Sequence, residues 1–269
     1  SRDMEFKMNF IVLILLFLIL GCEKVAPIRD NPLDDESSNY ISPSINFLTD
    51  IANGDTVYTE TITIAYEGNE LVHEFRYKFD ELDWTSWNQD VTITLEYLDE
   101  GNHHLSAQSR YLSGDTSEIV SISFVVDAVG GPGLIFLPRR HISEQGETVN
   151  FKIMAEEVID LMAAEIKLSF NTNIFQIESV NQGNFFQNGE ESIFNYNINT
   201  NDGNVEILTS LIDSQNPALS GTGDLFEIEV KILQNSTDHI QFMDGCIFRD
   251  PENNDIVILE IINGLIEIK

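Results

Sequence analysis

Chemistry in a protein usually announces itself through histidines, cysteines and paired carboxylates, and here those residues are few or dispersed. The five histidines are His73, His103, His104, His141 and His239, and the two cysteines are Cys22 and Cys246. None of these stands at a spacing that couples a nucleophile to a base, and neither a phosphate-cradling glycine loop nor a nucleophile elbow is present. His103-His104 is a poor chelating pair, because neighbouring residues on a strand point to opposite faces of the sheet. Asp250-Pro251-Glu252-Asn253-Asn254-Asp255 offers oxygens at alternate places. It lacks the glycine at the sixth position and the bidentate glutamate at the spacing a calcium loop requires, and reads as a polar hairpin tip. Carboxylate pairs are abundant, yet among 45 acidic residues any two fall close by chance, so they do not signal glycosidase chemistry. The expectation is a protein that is not an enzyme and needs no cofactor or metal.

Composition limits the partners. Against the 45 acidic residues stand 14 basic ones, a formal net charge of -31. Nucleic-acid affinity comes largely from Lys and Arg displacing counterions, so a nucleic-acid partner is not expected. The 42% hydrophobic fraction is ample for buried cores, and 269 residues suit about two domains.

At the N-terminus Lys7 precedes an apolar run from Phe10 to Leu20, shorter than the about 20 residues that span a bilayer. The run ends in Ile19-Leu20-Gly21-Cys22, which resembles the lipobox of bacterial lipoproteins. That resemblance implies a signal peptide over residues 1–21, lipid attachment at Cys22 and a lipid-anchored, extracytoplasmic place in the bacterial cell envelope. With Cys22 acylated, Cys246 has no disulfide partner. Residues 22–42 are rich in Pro, Asp, Asn and Ser, as in a flexible tether.

From there period-two alternation dominates. INFL, ETITIAY, HEFRYKF, VTITLEYL, HHLSAQSRYL and IVSISFVVD are candidate strands divided by turns, which predicts an antiparallel β-sandwich over residues 43–128. FRYKFDELDWTSWN, followed by LDEGNHHLSAQSRYLSGDTSE, resembles immunoglobulin/fibronectin-type modules. Trp84 and Trp87 admit two readings, a core plug with its cover or a platform stacking on a polysaccharide. VGGPG at 129–133 marks a boundary.

Over residues 134–269 nine or ten further strands predict a jelly-roll sandwich: LIFL, TVNFKIMA, AAEIKLSF, IFQIESV, SIFNYNI, NVEILTSLI, DLFEIEVKIL, HIQFM, IVILEI and GLIEI. In AAEIKLSFNTNIFQIESV, Ile166, Leu168 and Phe170 share the inward face and Glu165, Lys167 and Ser169 the outward one. Asn171-Thr172-Asn173 forms an elbow of short polar side chains. Phe175 and Ile177 begin a second buried row.

The order AAEIKLSFNTNIFQIESVNQGNFF, NVEILTSLID, GTGDLFEIEVKI and GCIFRDPENNDIVILEIINGLIEIK is similar to that of cohesin domains. The marks are the Asn-rich elbow, Val180 with Gly183, Gly221-x-Gly223 with Leu225, and Gly264-x-Ile266. The resemblance implies a scaffold module that receives a protein partner, such as the dockerin module of a polysaccharide-degrading enzyme, on a flat sheet face. Glu165 is the matching acid there; Ala163 stands where an amide is frequent. The recognition face is expected at Glu165, Lys167 and Ser169, with Glu206, Leu208 and Ser210 on a companion strand. A carbohydrate-binding surface protein is the alternative. Beyond residue 133 there is no tryptophan and Tyr196 is the only tyrosine, which favours protein over sugar.

Overall fold

A computed structural model describes residues 30–188, 191–212 and 218–269. The expected signal peptide, Cys22 and the start of the tether lie outside the described residues. Among the described residues, no helix is long and apolar enough to cross a membrane.

The first sandwich holds β1 (Ile45–Leu48), β2 (Thr56–Val57), β3 (Ile62–Gly68), β4 (Glu74–Phe79), β5 (Thr92–Leu95), β6 (Gly101–Arg110) and β7 (Val120–Val126). They form a three-stranded sheet β1-β3-β5 and a four-stranded sheet β2-β7-β6-β4. Alternation supplies the core: Ile62, Ile64 and Tyr66 from β3 meet Leu105 and Ala107 from β6 and Ile122 and Phe124 from β7. The short β2 is absent from the sequence reading and pairs parallel to β7. The segment leading in is held at more than one point, among them the Ser42 carbonyl, which accepts from Asn69 Nδ2 at 3.0 Å. The buried Tyr111 hydroxyl donates to the Ile41 carbonyl at 2.7 Å and accepts from Asn69 Nδ2 at 2.7 Å, so the last residues of the expected tether lie against this module.

The second sandwich comprises β8 (Gly133–Leu137), β9 (Arg140–Ser143), β10 (Thr148–Leu161), β11 (Ala163–Ser169), β12 (Phe175–Gln182), β13 (Ser192–Asn199), β14 (Asn204–Leu211), β15 (Leu219–Ile232), β16 (Asp238–Phe242), β17 (Ile247–Arg249), β18 (Asp255–Ile256), β19 (Glu260–Ile262) and β20 (Gly264–Ile268). One sheet runs β12-β15-β10-β8-β19 and the other β13-β14-β11-β16-β20-β9, with β17 beside β11 and β18 beside β17. The two inner faces close on one core that includes Phe136, Phe151, Ile166, Leu168, Phe226 and Phe248.

Three details differ from the sequence reading. IVILEI is not one strand: it divides into β18 and β19, which belong to different sheets, with residues 257–259 crossing between them. Strands β9 and β17 are too short to show a period. The sandwiches are also not wholly antiparallel, because β19 pairs parallel to β8 and β20 parallel to β9.

Candidate recognition face

Strand β11 alternates as its sequence demands, with Ala164, Ile166 and Leu168 buried at 0–1% exposure and Glu165, Lys167 and Ser169 turned outward. At its end the Asn171 carbonyl accepts the N–H groups of Ile174 (2.9 Å) and Phe175 (2.8 Å), and Asn171 Oδ1 accepts from Asn173 N–H (3.1 Å). This elbow ends β11 in one sheet and starts β12 in the other, which fixes the facing of every residue upstream.

Strand β14 pairs along the whole of β11, placing Leu208 opposite Glu165, Glu206 opposite Lys167 and Ser210 opposite Ala163. In β14, Val205, Ile207, Thr209 and Leu211 are buried, so Glu206, Leu208 and Ser210 share the outward face with Glu165, Lys167 and Ser169. The structure thus brings all six residues onto one surface. Two flanking strands extend it with residues the sequence reading did not include. Asn195 and Asn197 of β13 lie opposite Leu208 and Glu206, and Ile247 and Arg249 of β17 lie opposite Glu165 and Ala163. One continuous row reads Asn195, Leu208, Glu165, Ile247. The only sequence signal for β17 is the three-residue alternation Ile247-Phe248-Arg249, which is below the length at which a period can be recognised.

Lys167 lies between two glutamates. Its Nζ pairs with Glu165 Oε1 at 3.1 Å, and this hydrogen bond, with the negative charges of Glu165 and Glu206, raises the lysine pKa above its ordinary value. Beside it the sheet is interrupted: β16 pairs with the end of β11 and β17 with its beginning, and residues 243–246 form a bulge between them. The Lys167 carbonyl accepts Met243 N–H at 2.8 Å, and Lys167 N–H donates to Cys246 Sγ at 3.4 Å. Burial pushes the Cys246 thiol up, so it supports the bulge as a neutral side chain. A shallow depression between β13 and β14 is lined by Glu165, Asn195, Asn197, Glu206 and Leu208. The face combines apolar patches with fixed charges, an arrangement suited to holding another surface.

The remaining candidates lie elsewhere. His103 is buried, with Nδ1 2.8 Å from Asp80 and Nε2 2.8 Å from the Asp99 carbonyl, while His104 faces solvent beside Ser123. Asp250 turns its carboxylate onto its own hairpin, accepting from Asn254 N–H (2.7 Å) and Nδ2 (2.9 Å), and those bonds lower its pKa. Among the described residues, no group of three or more His, Cys, Asp and Glu is arranged to hold a metal ion.

Trp84 and Trp87 do not fill the core, contrary to the first of the two readings. Both are half-buried, and the Arg76 guanidinium lies 4.7 Å from one ring centroid and 4.5 Å from the other. Arg110 lies 4.6 Å from the Trp87 ring. Arg76 Nε and a terminal nitrogen both donate to Gln108 Oε1, and Arg110 pairs with Glu74. Each ring on which a sugar would stack already has an arginine against it.

The cohesin domain family model matches residues 140–268 of this chain. Among solved structures, the chain is similar to a non-cellulosomal cohesin from the hyperthermophilic archaeon Archaeoglobus fulgidus: 22% identity, 51% of this chain and 90% of that chain covered, TM-score 0.43. It is similar to a chain of a type I cohesin–dockerin complex from Clostridium thermocellum, at 17% identity over 51% of this chain and 98% of that one, with a TM-score of 0.44. It is also similar to a type II cohesin domain from the cellulosome of Acetivibrio cellulolyticus, at 13% identity over 50% and 94% of the two chains, with a TM-score of 0.45. No curated protein matches the chain.

Proposed function

We propose that this protein is a surface-anchored, non-catalytic scaffold lipoprotein whose cohesin-like module receives a dockerin-type module on the outer face of β13, β14, β11 and β17. Cys22 carries the lipid, and an immunoglobulin/fibronectin-type spacer over residues 43–128 lifts the binding module away from the membrane. The observation that carries this reading is the row Asn195, Leu208, Glu165, Ile247. It sets two apolar side chains on either side of an acid, on a four-stranded surface, in a stretch of chain matching the cohesin family. Apolar side chains at the centre of such a face lose water on contact, and the charges around them set the register of the partner. Glu165 and Glu206 call for cations on that partner, and a net charge of -31 draws a basic surface in from solution. The alternative, carbohydrate binding at Trp84 and Trp87, has the stacked arginines against it.

The test is calorimetric titration of the full chain with calcium-loaded dockerin modules. Binding is expected, and Glu165→Lys is expected to weaken it about tenfold or more, because it sets a cation against a cation at a desolvated contact. Glu178→Lys, a charge-matched change on the outer face of the opposite sheet, is expected to leave affinity unchanged. Equal loss in both variants, or no binding by any dockerin, would remove this reading. For the anchor, Cys22→Ala is expected to move the chain from the membrane fraction to the aqueous one. Unchanged membrane attachment would reject lipidation.

A further inference from the structure

We infer that the two sandwiches move as one rigid body and that Arg139 is the latch that sets their relative attitude. A short linker with two consecutive glycines, Gly130 and Gly131, would by default leave adjoining modules free to reorient. Here the linker is fastened on both sides. The Ala128 N–H donates to the Glu100 carboxylate of the first module (3.0 Å), the Gly130 N–H donates to Glu260 of the second (3.1 Å), and Val129 between them is buried.

Arg139 lies in the connection from β8 to β9 and is 2% exposed. Its carbonyl accepts Leu265 N–H (2.9 Å), which fixes it to β20 in its own module. Its other bonds cross the boundary. The backbone N–H donates to Asp99 Oδ1 (2.6 Å), one terminal guanidinium nitrogen pairs with Glu60 (2.8 Å) and the other with Glu100. Glu60 precedes β3, whereas Asp99 and Glu100 belong to the loop between β5 and β6. The planar fork is therefore stretched between two separate elements of the first module. Arg140 adds a contact, its guanidinium 4.8 Å from the Tyr97 ring centroid. Burial raises the Asp99 and Glu100 carboxyls while Arg139 pulls them back, as expected where water has been excluded.

A buried ion pair of this kind contributes little net stability, since desolvation offsets most of the attraction, but it discriminates sharply between arrangements. Glu100 is 14% exposed and Glu60 55%, so a rotation of one module against the other would cost chiefly the bonds that Arg139 makes to Glu100 and Asp99. Arg139 Nε is enclosed without a partner, a cost that the bonds made by the rest of the residue offset. The consequence is a fixed angle between the spacer and the β11–β14 face, and it holds whatever that face binds.

Residual dipolar couplings of the full chain, fitted separately for residues 43–126 and 134–268, test the latch. The unaltered chain is expected to give one alignment tensor common to both modules. Arg139→Gln is expected to lose it, giving two tensors while the amide resonances of Phe124 and Phe226 report intact cores. Glu60→Gln with Glu100→Gln, which removes the charges from the other side, is expected to split the tensor in the same way and decides the matter alone if Arg139→Gln does not fold. Two tensors in the unaltered chain, or a common tensor surviving either folded variant, would overturn the inference.

Discussion

Phe226→Ala is expected to lower the unfolding free energy of the second sandwich by about 3–5 kcal/mol, the range for deleting a buried aromatic ring. Phe226 is fully enclosed on β15, opposite Ile153 of β10 and Gln182 of the edge strand β12. Interiors this densely packed relax only partly, so most of the ring's volume stays behind as a cavity. Against a total of about 5–15 kcal/mol for a domain, that is a severe loss. The residue one place on gives the control. Glu227 faces out, 3.5 Å from Lys152, and Glu227→Ala is expected to change stability by less than about 1 kcal/mol. Urea unfolding followed by far-ultraviolet circular dichroism reads both sandwiches. Tryptophan fluorescence reads only the first, because Trp84 and Trp87 are the chain's two tryptophans. The dichroism midpoint should fall in Phe226→Ala. Similar small effects at both positions would mean that β15 is out by one residue, with every facing in that sheet inverted.

Gly183→Ala ranks next, at about 3 kcal/mol, the upper end for forcing extra volume into a filled site. A methyl group there would lie 2.2 Å from the Asp224 carbonyl oxygen. That oxygen cannot withdraw, because it accepts Phe185 N–H at 2.9 Å, and the Gly183 N–H itself donates to the Leu225 carbonyl at 2.9 Å. The end of β12 is stitched to β15 so closely that only a hydrogen fits. Relief would have to come from displacing Phe185 and Phe186, both buried. The same urea titration measures it, and a midpoint equal to that of the unaltered chain would show that the two strands do not approach as described. The glycine that marks the sequence as cohesin-like therefore has a steric reason to be there.

Much of the face was legible because its cause is local. In AAEIKLS a pleated backbone sends alternate side chains to opposite sides, and only one of the two sets is apolar, so Glu165, Lys167 and Ser169 had to point outward. The elbow was legible for the same reason, since Asn171 satisfies the turn's backbone itself. Glu206, Leu208 and Ser210 depended on where β14 pairs, yet the alternation in NVEILTSL restricted them to two facings, and the apolar set selected one. The short strands, the division of IVILEI and the parallel pairings were not legible, because a two- or three-residue strand is defined by its neighbour rather than by its own pattern.

By itself the sequence determined the all-β sandwich class and which side of β11 meets solvent, both consequences of sterics and polarity acting within a few residues. Only the tertiary structure decided that β13 and β17 flank the face, that arginines cover Trp84 and Trp87, and that Arg139 reaches into the neighbouring module. Those contacts join residues from about 10 to about 80 positions apart, and loop closure costs rise so slowly with chain length that nothing in the sequence of either partner reveals which distant segment it will meet.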